Sequence, residues 1–144
     1  GKVIVFTTTN GTRAMVAAAS AASAAVCAFV NVNAVARWAL GQGRDLTVIC
    51  SGSNGGFSLE DVVCAGMLLE RLYAAGASPA HTDSAFASRV LFEHYQERLD
   101  CLREDSEWAR RLGRAGLMED LRACLRVGIF DHVPVSRDGV IAGL

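Results

Sequence analysis

The chain has 144 residues, 51% of them apolar, enough for one domain with a real core and little room for a second. Its 14 Lys and Arg against 15 Asp and Glu give a formal charge of −1, which removes the electrostatic basis for a nucleic-acid or anionic-membrane binder. Ala is the commonest residue and prolines number only two, a composition that favours helix.

The sequence opens Gly1-Lys2-Val3, without Met, directly into an apolar run, and 144 residues is therefore expected to be a piece of something longer. Val3-Ile4-Val5-Phe6 is continuous and β-branched, the mark of a strand buried on both faces. The polar string Thr7-Thr8-Thr9-Asn10-Gly11-Thr12-Arg13 leads into an Ala-rich helix over 14–22. A second strand is expected over 25–30. Asn33 can cap a helix running to about Leu40, closed by Gly41-Gln42-Gly43. Residues 46–50 form the third expected strand, followed by Ser51-Gly52-Ser53-Asn54-Gly55-Gly56.

Ser58 then opens the best-marked helix: its hydroxyl can cap the first turn, where Glu60 and Asp61 suit the helix dipole. After a break over 74–79, amphipathic helices are expected over 82–101, 105–112 and 117–125. Val133-Pro134-Val135 and Val140-Ile141 predict a terminal strand pair turning at Arg137-Asp138-Gly139. The β-α-β-α-β-α order of the first half predicts a three-layer α/β/α fold with a largely parallel sheet and a helical C-terminal extension, one α/β region over 1–144.

Five cysteines without any C-x-x-C motif fit a reduced, cytoplasmic protein in which Cys is a small buried hydrophobe. Residues 14–36 carry no charge, but Asn31, Asn33 and the low Leu content oppose membrane insertion. His81, His94 and His132 lack ligand spacing, so zinc is not expected. Trp38 and Trp108 are most simply packing anchors, and the charges over 103–114 a solvated helix face.

In open α/β sheets, ligands bind at the carboxyl ends of strands, so the loops after Phe6 and Cys50 should converge. In the first, Thr hydroxyls, Gly11 and the Arg13 guanidinium can hold an oxyanion; the same string also fits a capped turn with a solvent-facing Arg. In the second, Glu60 and Asp61 follow a Gly-rich loop and could ligate a hard cation, although acidic residues are ordinary in a first helical turn. No Walker loop and no G-x-G-x-x-G is present.

Thr8-Thr9-Asn10-Gly11-Thr12-Arg13-Ala14, then Phe57-Ser58-Leu59-Glu60-Asp61 with Cys64-Ala65-Gly66, then Val133-Pro134, resemble the 2-phosphosulfolactate phosphatase family of coenzyme M synthesis, across nearly the whole chain. The resemblance implies a Mg²⁺-dependent hydrolase releasing phosphate from 2-phosphosulfolactate, a small anionic phosphoester, with the present chain as its C-terminal portion. It makes Thr9, Asn10, Gly11, Thr12 and Arg13 the anion loop, with Ser53 and Asn54 as further substrate contacts. On chemical grounds Arg13, Asn10 and Asp61 are the expected catalytic residues, with Glu60 and Asp61 as metal ligands. No nucleic-acid or membrane partner is expected, and assembly into identical copies is left open.

Two departures stand out. The family's upstream D-x-x-R-A-T-like segment has no counterpart here, and where its S-x-H-G-like stretch would fall, Ser106-Glu107 is followed by Trp108-Ala109. Both suit the alternative of a non-catalytic anion-binding domain that keeps the fold.

Overall fold

Helices occupy most of the regular backbone in the computed structural model, which describes residues 3–137 and 139–143. In chain order they are α1 (Gly11–Ala17), α2 (Val32–Gly41), α3 (Leu59–Ala74), α4 (Asp83–Tyr95), α5 (Leu102–Asp105), α6 (Glu107–Arg114) and α7 (Met118–Cys124). Three short strands, β1 (Ala24–Ala25), β2 (Pro134–Arg137) and β3 (Val140–Gly143), form one antiparallel sheet in the order β1-β2-β3.

The core is built on α3. Val63, Met67, Leu68 and Leu72 from this helix pack with Val32, Val35 and Ala36 of α2 and with Phe92 and Tyr95 of α4. Leu102, Val133 and Val135 close the cluster. Apolar residues at three- and four-residue spacing give α3 its buried stripe. Its end is set by Gly76 at φ +96, where the Gly76 and Ala77 N–H groups donate back to the carbonyls of Tyr73 and Leu72.

The helices α3 and α4 approach so closely at Gly66 that a Cβ there would lie 2.0 Å from the Ser88 carbonyl oxygen and 2.8 Å from the Phe92 Cβ. Only glycine fits. On α4, the Thr82 hydroxyl caps the first turn by accepting from Ala85 N–H at 3.2 Å. The Ser106 hydroxyl does the same for α6 through Ala109 N–H at 3.2 Å.

The largely parallel three-layer sheet expected from sequence does not form. Residues 3–6 and 46–50 have no regular secondary structure and join no strand. Of the expected strand over 25–30 only Ala25 is retained, in β1, and Phe29–Asn31 turns into a 3₁₀ helix. The reason is physical: a parallel strand exists only through a neighbour, and among the described residues no backbone hydrogen bond reaches 3–6 or 46–49. The sheet that does form is the local one. The terminal hairpin pairs Val135 with Ala142 and Ser136 with Ile141, and β1 adds to its other edge through Ala24–Ser136 and Ala25–Val135. The Arg137-Asp138-Gly139 turn includes Asp138, which lies outside the described residues.

Smaller corrections follow the same logic. Asn31, not Asn33, organises the start of α2: its Oδ1 accepts from Ala28 N–H at 2.8 Å, and its Nδ2 donates to the Val26 and His132 carbonyls. This buried amide ties α2 to the segment entering β2. Asn33 instead accepts from the Arg71 Nε at 3.2 Å. Trp38 packs on the core as expected, whereas Trp108 is 48% exposed and lies outside the core cluster. No helix among the described residues is long and apolar enough to cross a membrane.

Replacing Gly66 by Ala is expected to destabilise the domain by about 1–3 kcal/mol, the usual cost of overpacking. Gly41→Ala, where a Cβ meets nothing within 4 Å, should be neutral or stabilising by up to about 1 kcal/mol. Urea denaturation of the two variants separates them.

Candidate active site

The Thr-rich and Gly-rich loops meet. Between them lies a cleft of about 290 Å³, lined by Asn10, Arg13, Ala14, Ile49, Cys50, Ser51, Gly52, Gly55 and Gly56.

Local sequence explains each wall. In the first loop, Thr8 and Thr12 bond reciprocally: Thr8 N–H donates to Thr12 Oγ1 at 2.9 Å, and Thr12 N–H donates to Thr8 Oγ1 at 3.2 Å. The Thr7 hydroxyl lies 3.3 Å from that of Thr12. This closed turn precedes α1 and sets where Arg13 projects. A Cβ on Gly11 would lie 2.8 Å from Thr8 Oγ1, so a side chain there would displace the acceptor that holds the turn.

The second loop is a two-residue hairpin. Ser53 and Gly56 exchange backbone hydrogen bonds of 3.1 and 2.8 Å, with Asn54 at φ 50 and Gly55 at φ 80 between them. Paired positive φ values at Asn-Gly are what a tight turn of this hand demands. Gly52 sits at φ +71, and a Cβ there would come within 2.6 Å of the Gly56 carbonyl oxygen. Three glycines thus leave backbone rather than side chain along one wall of the cleft.

Two hydrogen bonds fix the loops. Asn54 N–H donates to Asn10 Oδ1 at 3.1 Å, joining one loop to the other. Gly52 N–H donates to Asp61 Oδ2 at 2.7 Å, joining the Gly-rich loop to the first turn of α3. Burial pushes the Asp61 carboxyl above its ordinary range; the Gly52 N–H opposes this, the Glu60 charge adds to it, and the Ser58 hydroxyl and Ser51 backbone N–H oppose it.

The expected site residues therefore divide. Asn10 and Arg13 line the cleft together. Gly11 and Thr12 shape the turn beneath them, and Thr9 lies in that turn without a side-chain hydrogen bond among the described residues. Asn54 holds the loops together through its backbone, and Ser53 closes the hairpin. Asp61 stands behind Gly52 rather than on the cleft wall. Glu60 accepts from the Ser106 hydroxyl at 2.7 Å, a group only 1% exposed.

Both carboxylates are thus engaged by the protein. Among the described residues no three of His, Cys, Asp and Glu gather as a ligand set; a magnesium ion held by one or two carboxylates, water and phosphate would share Glu60 and Asp61 with these donors. The Arg13 guanidinium makes no ion pair among the described residues, whereas Arg37, Arg89, Arg103, Arg111 and Arg122 each pair with a carboxylate. It is the cation this cleft can offer to an anion.

Ile49 and Cys50 line the site without having been singled out from sequence. Thr8 was, as a hydroxyl of the anion loop, and its four-residue spacing to Thr12 is what closes the turn. The hairpin was written in Asn54-Gly55, a strong turn dipeptide. Ile49 and Cys50 gave no signal beyond apolarity. Burial, and secondarily Asp61, pushes the Cys50 thiol up, so it stays protonated at neutral pH and is a poor nucleophile.

The cleft, then, is a small one with backbone on one wall and a guanidinium on another. The comparisons place it more closely. A family profile described as 2-phosphosulpholactate phosphatase matches residues 1–139, and the chain belongs to this family. It is 37% identical over 141 residues to a "probable 2-phosphosulfolactate phosphatase" of Caldanaerobacter subterraneus, covering 98% of this chain and 58% of that protein. The protein of the same description from Symbiobacterium thermophilum is 39% identical over 143 residues, covering 98% of this chain and 60% of its own length. That of Thermotoga maritima is 34% identical over 140 residues, covering 97% and 59%. The chain spans about three-fifths of the length of these relatives.

Two outcomes test this geometry. Because the folded state binds the Asp61 proton more tightly than the unfolded chain does, this group's contribution to stability falls as pH rises from about 4 through the folded pKa, and is constant above it. Asp61→Asn keeps an acceptor for Gly52 N–H and should lack that decline when denaturation is measured between about pH 4 and 8. Gly52→Ala should cost about 1–3 kcal/mol through strain at a left-handed position, visible as a lowered midpoint in the same experiment.

Proposed function

We propose that this chain carries the phosphate-binding part of an enzyme that hydrolyses 2-phosphosulfolactate to sulfolactate and phosphate. The observation that carries the proposal is the cleft itself, where Arg13 and Asn10 stand opposite the backbone of Gly52, Gly55 and Gly56. Membership of the family supports the substrate.

Phosphoryl transfer asks a protein mainly for positioning and for charge placed where it develops. Arg13 meets the second demand: its planar fork can donate two parallel hydrogen bonds to phosphate oxygens, which a point charge cannot. Asn10, with Oδ1 occupied by Asn54 N–H, keeps its amide donors for a further oxygen. The glycines let backbone come close to the phosphate without a side chain between them. Water attacks phosphorus, the P–O bond to sulfolactate breaks, and the departing alkoxide takes up a proton.

Asp61 serves this arrangement through Gly52, holding the loop from behind, and Glu60 is held by Ser106. Dependence on Mg²⁺ is retained only on the strength of the resemblance: any full ligand set would draw on groups beyond those gathered here, and no step above passes through the cation. The same resemblance is the support for a cytoplasmic enzyme whose product leads to coenzyme M.

A second reading is favoured by one observation, the engagement of both Glu60 and Asp61 within the protein: a domain that binds the anion without turning it over. Calorimetric titration of inorganic phosphate, paired with phosphate release from phosphosulfolactate in the presence of Mg²⁺, tells the two apart. Binding by this chain, with release once it is joined to the segment of the Caldanaerobacter relative that it does not match, supports the hydrolase; binding without release in that joined protein supports the second reading. Arg13→Ala should weaken phosphate binding by about 10- to 100-fold, the worth of a charge-assisted hydrogen bond of roughly 1.5–3 kcal/mol. Arg13→Lys should recover part of it. Unchanged affinity in Arg13→Ala removes the anion site from this cleft.

A further inference from the structure

Two thiols that the cleft does not use lie against each other. Cys27 sits in the link between β1 and the 3₁₀ turn over Phe29–Asn31, and Cys64 lies on α3, three residues beyond Asp61. Their side chains are in hydrogen-bond contact, the Cys64 thiol donating to the Cys27 sulfur. The Cys27 thiol in turn lies 4.0 Å from the Ala28 carbonyl oxygen.

Both residues are seated by groups other than their own sulfur. The buried Asn31 amide grips the chain on either side of Cys27, donating to the Val26 carbonyl at 3.1 Å and accepting from Ala28 N–H at 2.8 Å. Cys64 is carried by the helix on which the core is built, between buried Val63 and Ala65. The two side chains pack against the same core cluster. Geometry decides whether two cysteines of a folded protein can be bridged, and this pair is already held with its sulfurs facing. Cys50 acts on Cys64 only through its charge, without a hydrogen bond.

The contact also divides the roles. The hydrogen bond from Cys64 lowers the Cys27 thiol, against a burial that raises it, and the same bond, with burial adding to it, raises Cys64 well above its ordinary range. Cys27 is therefore the sulfur that attacks. It is half-buried, and its neighbours Val26 and Ala28 are exposed, which leaves it open to a small oxidant.

We propose that Cys27 and Cys64 form a reversible dithiol–disulfide site, oxidised by low-molecular-weight disulfides. The Cys27 thiolate attacks one sulfur of the small disulfide; a mixed disulfide forms and the first small thiolate leaves. Cys64 gives its proton to that thiolate and attacks the Cys27 sulfur, so that the Cys27–Cys64 bond forms and the second small thiolate leaves, taking up the proton that Cys27 lost. Two protein thiols are oxidised and one small disulfide is reduced to two thiols. The bond ties the segment held by Asn31 to α3 one turn past Asp61, on the helix that fixes the cleft. None of this depends on what the cleft binds.

The test incubates the native chain with oxidised glutathione, blocks free thiols with iodoacetamide and identifies linked peptides by mass spectrometry without reduction. A Cys27–Cys64 link at least about tenfold more abundant than any other pairing, the advantage of groups already held together, and reversed by dithiothreitol, is the expected result. The same treatment in urea should lose that preference. In Cys64→Ser the reaction should stop with glutathione on Cys27. Cys27 and Cys64 both left free in the native chain, or either one linked to Cys50 in preference, overturns the proposal. So does a Cys27–Cys64 link favoured equally in urea, since the fold would then contribute nothing to it.

Discussion

The hydrogen bond from Gly52 N–H to the Asp61 carboxylate, 2.7 Å long, is the joint between the body of this molecule and its cleft. Asp61 lies in the first turn of α3, the helix on which the core is built. Through this carboxylate the position of a packed helix is passed to the glycine-rich loop, by Gly52 first and by the Ser51 backbone N–H beside it. Charge-assisted bonds of this kind are shorter and stronger than neutral ones, and this one works against the burial that raises the same carboxyl. The loop transmits the constraint onward, since Asn54 N–H holds Asn10 and the turn beneath Asn10 carries Arg13.

Two glycines show what the arrangement demands. At Gly66 a side chain would collide with the backbone of α4, and at Gly52 with the Gly56 carbonyl. The first lets α3 sit close enough to α4 to form the core, and the second lets the Gly-rich loop close on itself. Core and cleft are therefore not separate achievements of the sequence: the same helix is fixed at its middle by packing and uses its first turn to aim the site.

What could be read from the residues alone follows the range of the forces involved. The helices α3, α4, α6 and α7 were legible in outline because apolar spacing and glycine stops act within a few residues, although the Ser58 hydroxyl makes no capping bond to α3 and the helix expected over 82–101 ends at Tyr95. The terminal hairpin was legible for the same reason. The parallel sheet was not, because it required neighbours for 3–6 and 46–50 that no local pattern can guarantee. The meeting of the two loops was anticipated from strand ends that turned out to be unpaired; what brings them together is the Asn10–Asn54 and Gly52–Asp61 bonding. The acidic pair at the start of α3 looked like a cation site, but each carboxylate answers a donor within the protein, Ser106 in one case and Gly52 in the other. A buried serine 46 residues away cannot be foreseen from the pair itself.

The central claim is that the cleft between these loops binds phosphate through Arg13. The most direct measurement is a titration of inorganic phosphate into isotope-labelled protein, following the backbone amides of residues 10–13 and 51–56 and the Arg13 Nε–H by nuclear magnetic resonance. Saturable shifts confined to these groups, with the Arg13 Nε–H among the largest, are the predicted result. Shifts elsewhere, or none at these amides while phosphate binds, would contradict it.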